Sequence, residues 1–210
     1  LELHALEYLA KSNVDGMIIV TGSVTKEDIA KYAQDIPVVA VGYDIVDDNI
    51  RTINIDNVLG GYMATLHLLQ QGHVNIAHIK GLSSQPDSGN RFEGYKKALL
   101  YNNLEINDEY LLYSNFDKES VLTAARKLLY SPIHPDGILA FSDQIAITVM
   151  VAAKERGIQM PEKLCVIGFN NEPVGELLEP SLTSVDQPGH RMGEESAQLL
   201  INQLQKPSIL

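Results

Sequence analysis

Two periodicities alternate along the chain. Leu3, Leu6, Leu9 and Ala10 recur at helical spacing and predict an amphipathic helix over residues 1–11, while residues 17–20 form a continuous apolar run after Asp15-Gly16, as a strand does. Thr25-Lys26-Glu27-Asp28 has the form of a capping box and opens a helix to Gln34; Pro37 ends it ahead of a strand over residues 38–41. Residues 51–55 alternate polar and apolar, the period of a strand. A helix follows with Leu59, Tyr62, Met63, Leu66 and Leu69 on one face and Gly72 at the C-cap. Further strands are predicted at 76–79, 110–113, 137–141 and 164–169, with a short extended stretch at 182–185. Helices are predicted between them at 91–102, 119–129 and 145–156, and the last spans 192–204.

Repeated strand–helix alternation with short links implies an α/β fold of parallel sheets with helices on both faces. Strands that are apolar without interruption fit sheets buried on both sides. In open parallel sheets, ligands bind beyond the carboxyl ends of the strands. That rule singles out Gly42-Tyr43-Asp44, residues 81–87, Asn115-Phe116, Ser142-Asp143, Asn170-Asn171 and Asp186-Gln187. Most are polar and Phe116 is aromatic, a mixture that suits a neutral, hydroxyl-rich ligand with one flat apolar face.

Composition narrows the function classes. The formal net charge of −11 over 210 residues opposes binding to phosphate backbones, and no Lys/Arg cluster offsets it. The start, Leu1-Glu2-Leu3-His4, lacks a basic region followed by an apolar one, so no signal peptide is expected, and no apolar run is long enough to span a bilayer. The single cysteine, Cys165, lies in an apolar run and reads as a small buried hydrophobe. No histidine has metal-ligand spacing, and neither a nucleophile elbow, a dinucleotide fingerprint nor a phosphate loop is present. No enzyme activity, cofactor or metal is expected.

Ordered short stretches carry a resemblance to a known family. They include Asp15-Gly16-Met17-Ile18, Pro37-Val38-Val39, Asp56 through Gly60, His67-Leu68-Leu69, Gly72-His73 and Arg91-Phe92-Glu93-Gly94-Tyr95. Pro135-Asp136-Gly137-Ile138, Ser142-Asp143, Val166-Ile167-Gly168-Phe169-Asn170, Pro180-Ser181-Leu182-Thr183 and Gln187-Pro188 continue the series. In this order they resemble the effector-binding domain of the lactose-repressor (LacI/GalR) family of transcription regulators. The resemblance implies a two-lobe, periplasmic-binding-protein-like (type I) fold, each lobe a Rossmann-like parallel sheet with flanking helices. It further implies a cytoplasmic homodimeric regulator without a membrane association, a sugar-like small-molecule effector held between the lobes, and operator DNA bound only through an N-terminal helix-turn-helix head.

By this alignment residues 1–55 plus 187–210 form a partial N-terminal lobe and residues 56–186 the C-terminal lobe, with the head, the hinge and the first strand and helix of the first lobe absent. The first lobe is therefore expected to be incomplete, distorted or completed by another chain. A periplasmic sugar-binding protein of a transporter is the alternative on the same fold; the nearly all-apolar stretch 145–153, which suits a core or a dimer contact, speaks for the regulator.

The resemblance also assigns roles to individual residues. Arg91 is placed as an effector contact whose forked donors match vicinal hydroxyls or a carboxylate; by its local sequence alone it reads as an exposed arginine at a helix start. Asn170 stands where many relatives carry Asp, replacing a charged acceptor by an amide that donates and accepts; its alternative is an Asx turn closing the strand. Phe116 aligns with a stacking aromatic or fills core. Asp87, Ser142 and Gln187 align with polar contact positions, and Asp143 either joins them or caps the helix expected at Ile145. Gly42 stands where relatives often carry Asp, which removes a contact.

Overall fold

A computed structural model describes residues 2–20, 24–83, 85–115 and 117–205. The chain forms two compact units, Leu1–Ile55 with Pro188–Leu210, and Asp56–Gln187. Gln187 thus groups with the second unit rather than the first.

The first unit contains α1 (Glu2–Lys11), β1 (Met17–Ile19), α2 (Lys26–Tyr32), β2 (Val38–Val41), β3 (Ile50–Ile53) and α7 (Gly189–Leu204). Its sheet is parallel in the order β1-β2-β3, with Val39 aligned to both Ile18 and Arg51. The capping box that opens α2 is formed in both directions between Thr25 and Asp28. All four residues of β2 are buried, as a central strand covered on both faces requires. β1 and β3 are the edges, and Ile18 keeps 39 % of its surface exposed. α7 begins at Gly189, three residues before the helical pattern at Met192 announces it.

The second unit contains α3 (Asn57–Gln70), β4 (Ile76–Lys80), α4 (Pro86–Tyr101), β5 (Leu111–Tyr113), α5 (Lys118–Leu129), β6 (Gly137–Ala140), α6 (Asp143–Glu155), β7 (Cys165–Asn170) and β8 (Thr183–Asp186). The five strands are parallel in the order β5-β4-β6-β7-β8. One face packs Ile79, Ile138 and Ala140 against Val121, Ala125, Val149 and Ala153 of α5 and α6. The other packs Ile76, Leu139 and Ile167 against Leu68, Tyr95 and Leu99 of α3 and α4.

Two expectations about helices change. The stripe Leu59–Met63 is not the buried face of α3: these side chains are 51 % and 57 % exposed, whereas Gly60, Gly61, Ala64, Thr65 and Leu68 are buried. Small residues face inward because the α3 and α4 backbones almost touch; a Cβ on Gly61 would lie 2.2 Å from the Arg91 carbonyl oxygen, and one on Gly94 would lie 2.1 Å from that of Val58. Helix α4 also starts five residues earlier than expected. Pro86 occupies its first turn, where a missing N–H costs nothing, so Arg91 lies in the second turn rather than at the helix start.

Candidate functional site

The polar residues of interest gather at the carboxyl edge of the second unit's sheet, and the packing of α3 against α4 explains how. With both helix backbones in contact, Asn57 in the first turn of α3 and Arg91 in the second turn of α4 point into the same narrow space. Arg91 is 3 % exposed. Its Nε donates to Asn57 Oδ1 at 2.8 Å and its Nη1 to the Phe141 carbonyl at 2.5 Å. Its guanidinium carbon stacks 3.6 Å from the Phe169 ring centroid and 4.4 Å from that of Phe141. Asp87, one turn earlier on α4, accepts from Asn57 Nδ2 at 3.1 Å and stands 4.0 Å from Arg91 Nη2. Its side chain is 26 % exposed, so this linked trio runs from the interior to the surface.

Burial pushes the Arg91 guanidinium down to about 10, against the opposing pull of the Asp87 and Asp143 carboxylates. It stays cationic at neutral pH. Buried charge of this kind is tolerated only when paired and hydrogen-bonded.

The loops after β6 and β7 form a second cluster. Ser142 is the N-cap of α6, its hydroxyl accepting from the Ile145 amide at 3.4 Å, so the capping role considered for Asp143 belongs to its neighbour. Asp143 is the first helical residue and is wholly buried. Its Oδ2 accepts from the Glu172 amide and its Oδ1 from the Ser184 hydroxyl, each at 2.6 Å. Gly168 makes this possible, since a Cβ there would fall 2.0 Å from Asp143 Oδ1. With both oxygens engaged, Asp143 braces the β7 turn.

That turn is unusual. Asn170 and Asn171 have φ of 111° and 57°, a region that non-glycine residues enter at some cost and that Asn enters most readily. Asn171 is tied down: its amide N–H reaches Ser184 Oγ at 3.0 Å and its Nδ2 reaches Asp186 Oδ1 at 3.0 Å. Asn170, half-buried, has no side-chain hydrogen-bond partner among the described residues and so makes no Asx turn. Gln187 is half-buried just beyond β8. Phe116 lies outside the described residues.

The structure thus brings Arg91 and Asp87 into one network and Ser142, Asp143 and Asn170 into the adjoining loops. Sequence reasoning missed Asn57, which joins Arg91 to Asp87, and Ser184, which joins Asp143 to Asn171. Asn57 follows the N-cap Asp56, and no local signal says which of two adjacent polar residues turns inward. Among the described residues no group of His, Cys, Asp or Glu could hold a metal ion, and no helix is long and apolar enough to cross a membrane.

Parallel sheets flanked by helices, with polar loops at the carboxyl strand ends, define a periplasmic-binding-protein-like fold of type I. The chain belongs to the periplasmic binding protein-like domain family, which it matches over residues 65–209. Catabolite control protein A of Priestia megaterium is 31 % identical over 99 % of this chain and 63 % of its own length. The HTH-type transcriptional repressor PurR of Vibrio cholerae is 29 % identical over 95 % of this chain and 60 % of its own. The chain spans about three fifths of the length of these curated relatives. Among solved structures, a complex of the transcriptional regulator CelR with cellobiose superposes with a TM-score of 0.85 at 31 % identity, covering 96 % of this chain and 62 % of that one. The regulator CcpA of Lactococcus lactis gives 0.86 at 29 % identity, covering 100 % and 77 %. This is an effector-binding domain of the LacI/GalR type.

Proposed function

We propose that the chain is the effector-sensing core of a LacI-type regulator, and that a small polar molecule, a sugar or a derivative of one, binds at the carboxyl edge of the second unit's sheet. One observation carries the reading: a buried cation, Arg91, is linked through Asn57 to a carboxylate, Asp87, that reaches the surface at the ligand-binding end of a parallel sheet. Such a network presents a preorganised acceptor at the rim while keeping its counter-charge fixed behind it. Hydroxyl donors of a sugar suit Asp87, and the free amide of Asn170 supplies both a donor and an acceptor. The cellobiose bound by the CelR neighbour is consistent with this class.

The effector acts by population shift: it favours one conformation of the domain and so biases operator binding by a helix-turn-helix head of the kind the PurR relative's name records. A near-complete switch needs a differential affinity of about 5.5 kcal/mol. The regulator works in the cytoplasm as a homodimer, with no catalytic step.

The test is a thermal-shift panel of neutral mono- and disaccharides on the chain, or on the longer protein that carries it. A ligand at about a hundred times its Kd stabilises the fold by about 2.7 kcal/mol, a rise of several degrees. We expect one sugar class to produce that rise and Asp87→Asn to abolish most of it. A flat panel, or an Asp87→Asn protein that responds like wild type, contradicts the reading.

A further inference from the structure

The polar side chains packed around α4 fall into two sets. Arg91 is held by hydrogen bonds and faces a carboxylate. Lys80, at the carboxyl end of β4, is 6 % exposed and has two aromatic faces beside its ammonium: Nζ lies 4.0 Å from the Tyr113 ring centroid and 4.3 Å from that of Phe92. Rings attract a cation but accept no ordinary hydrogen bond, and an ammonium carries three donors. Among the described residues Lys80 Nζ has no ion pair and no hydrogen bond. The acids of α4 are engaged elsewhere, Glu93 with Lys96 and Asp87 with Asn57 and Arg91.

Two further polar side chains pack on the same rings. His78, on the same strand face, stacks with Phe92 and Tyr95, and its buried Nε2 has no partner while its Nδ1 bonds the Leu139 carbonyl. Lys96, paired with Glu93, also lies 5.2 Å from the Phe92 centroid. The group that shields Lys80 on the outer side is Tyr113, on the edge strand β5 and 58 % exposed.

We propose that Lys80 is an anion-recognition residue: it receives the oxyanion of a small molecule, a phosphoryl or carboxylate group, with Tyr113 turning aside to admit it. The proposal rests on the reading of the carboxyl edge of the second unit's sheet as the effector site and adds a charged group to the effector. An ammonium flanked by rings and without a protein acceptor among the described residues is what an oxyanion satisfies, since charge-assisted hydrogen bonds are the strong ones.

The experiment titrates inorganic phosphate, a hexose 6-phosphate and a sugar carboxylate into wild type, Lys80→Met and Tyr113→Ala, followed by calorimetry and by the lysine side-chain NMR signals. Lys80→Met keeps the apolar stem beneath the rings; Tyr113→Ala keeps the ammonium and removes its cover. We expect wild type to bind the anionic probes, Lys80→Met to bind them about tenfold or more weakly, and Tyr113→Ala to bind them no more weakly than wild type. If Lys80→Met does not fold, movement of the Lys80 signal with phosphate in wild type and Tyr113→Ala decides in favour, and an unmoved signal decides against. Equal affinity of wild type and Lys80→Met, or no anion binding by wild type and Tyr113→Ala, overturns the proposal. A neutral sugar that binds both wild type and Lys80→Met equally leaves the effector-site reading standing while the anion titration rules on Lys80 alone.

Discussion

The carboxyl edges of the two sheets are built differently. In the first unit the turn after β2 is a surface device: Gly42 has φ of 80° with nothing near the place of a Cβ, and Asp44 is exposed, accepting from Asn54 at 3.1 Å. Only Tyr43 is buried there, its hydroxyl donating to the Val24 carbonyl at 3.1 Å. In the second unit the corresponding edge hides charge. Arg91 and Asp143 are nearly or wholly buried behind a polar rim, with the buried amide of Asn57 beside Arg91. Surface polar groups are easily satisfied by water, whereas buried charge requires a constructed partner for every donor and acceptor. The second unit's tolerance for change is therefore lower.

Glycine substitutions break this comparison most sharply. Gly94→Ala in the second unit forces a Cβ against backbone atoms that cannot yield, and we expect a loss above about 3 kcal/mol, or no folded protein, by urea denaturation. Gly42→Ala in the first unit meets no atom and pays only for its positive φ, about 1–2 kcal/mol. Similar losses at both positions refute the contrast.

A second difference is in pH response. Burial lowers the His78 pKa to about 4, with the Leu139 hydrogen bond opposing and the charges of Lys80 and Arg91 assisting. The unfolded chain takes up this proton near pH 6.5 and the native chain does not, so stability is present above that pH and falls as pH drops from about 6.5 to about 4. The loss attributable to this residue is about 3 kcal/mol at 1.36 kcal/mol per pKa unit. It is measured as the difference in stability–pH slope between wild type and His78→Leu. Parallel slopes would show that His78 is solvated. The smallest effect belongs to the first unit: Thr25→Ala removes the α2 cap and costs about 1 kcal/mol by thermal unfolding, without altering ligand response.

The sequence made the architecture legible because it depends on two patterns that are local. Uninterrupted apolar runs such as residues 38–41 mark strands covered on both faces, and the Thr25–Asp28 box marks a helix start. What stayed hidden depends on tertiary contact. Residues 86–90, Pro, Asp, Ser, Gly and Asn, read as a loop, yet they form the first turn and a half of α4 because Pro86 suits a helix start. In β4 the polar His78 and Lys80 alternate with Ala77 and Ile79 and by pattern would face water, but all five strand residues are buried because α4 covers that side. Arg91 could be singled out only through family resemblance, and the partners that give it its setting, Asn57 and Phe141, lie 34 and 50 residues away. Spacing along the chain says nothing about such distances.

The central claim is that a small polar ligand is held at the carboxyl edge of the second unit's sheet by the Arg91–Asn57–Asp87 network and the Asn170 turn. Amide hydrogen exchange with and without a saturating sugar from the thermal-shift panel tests it most directly. The account predicts slowed exchange in residues 85–91, 141–145 and 170–172 as the main effect within the second unit. Slowed exchange confined to the amino ends of the strands, or to the outer faces of α5 and α6, would contradict it.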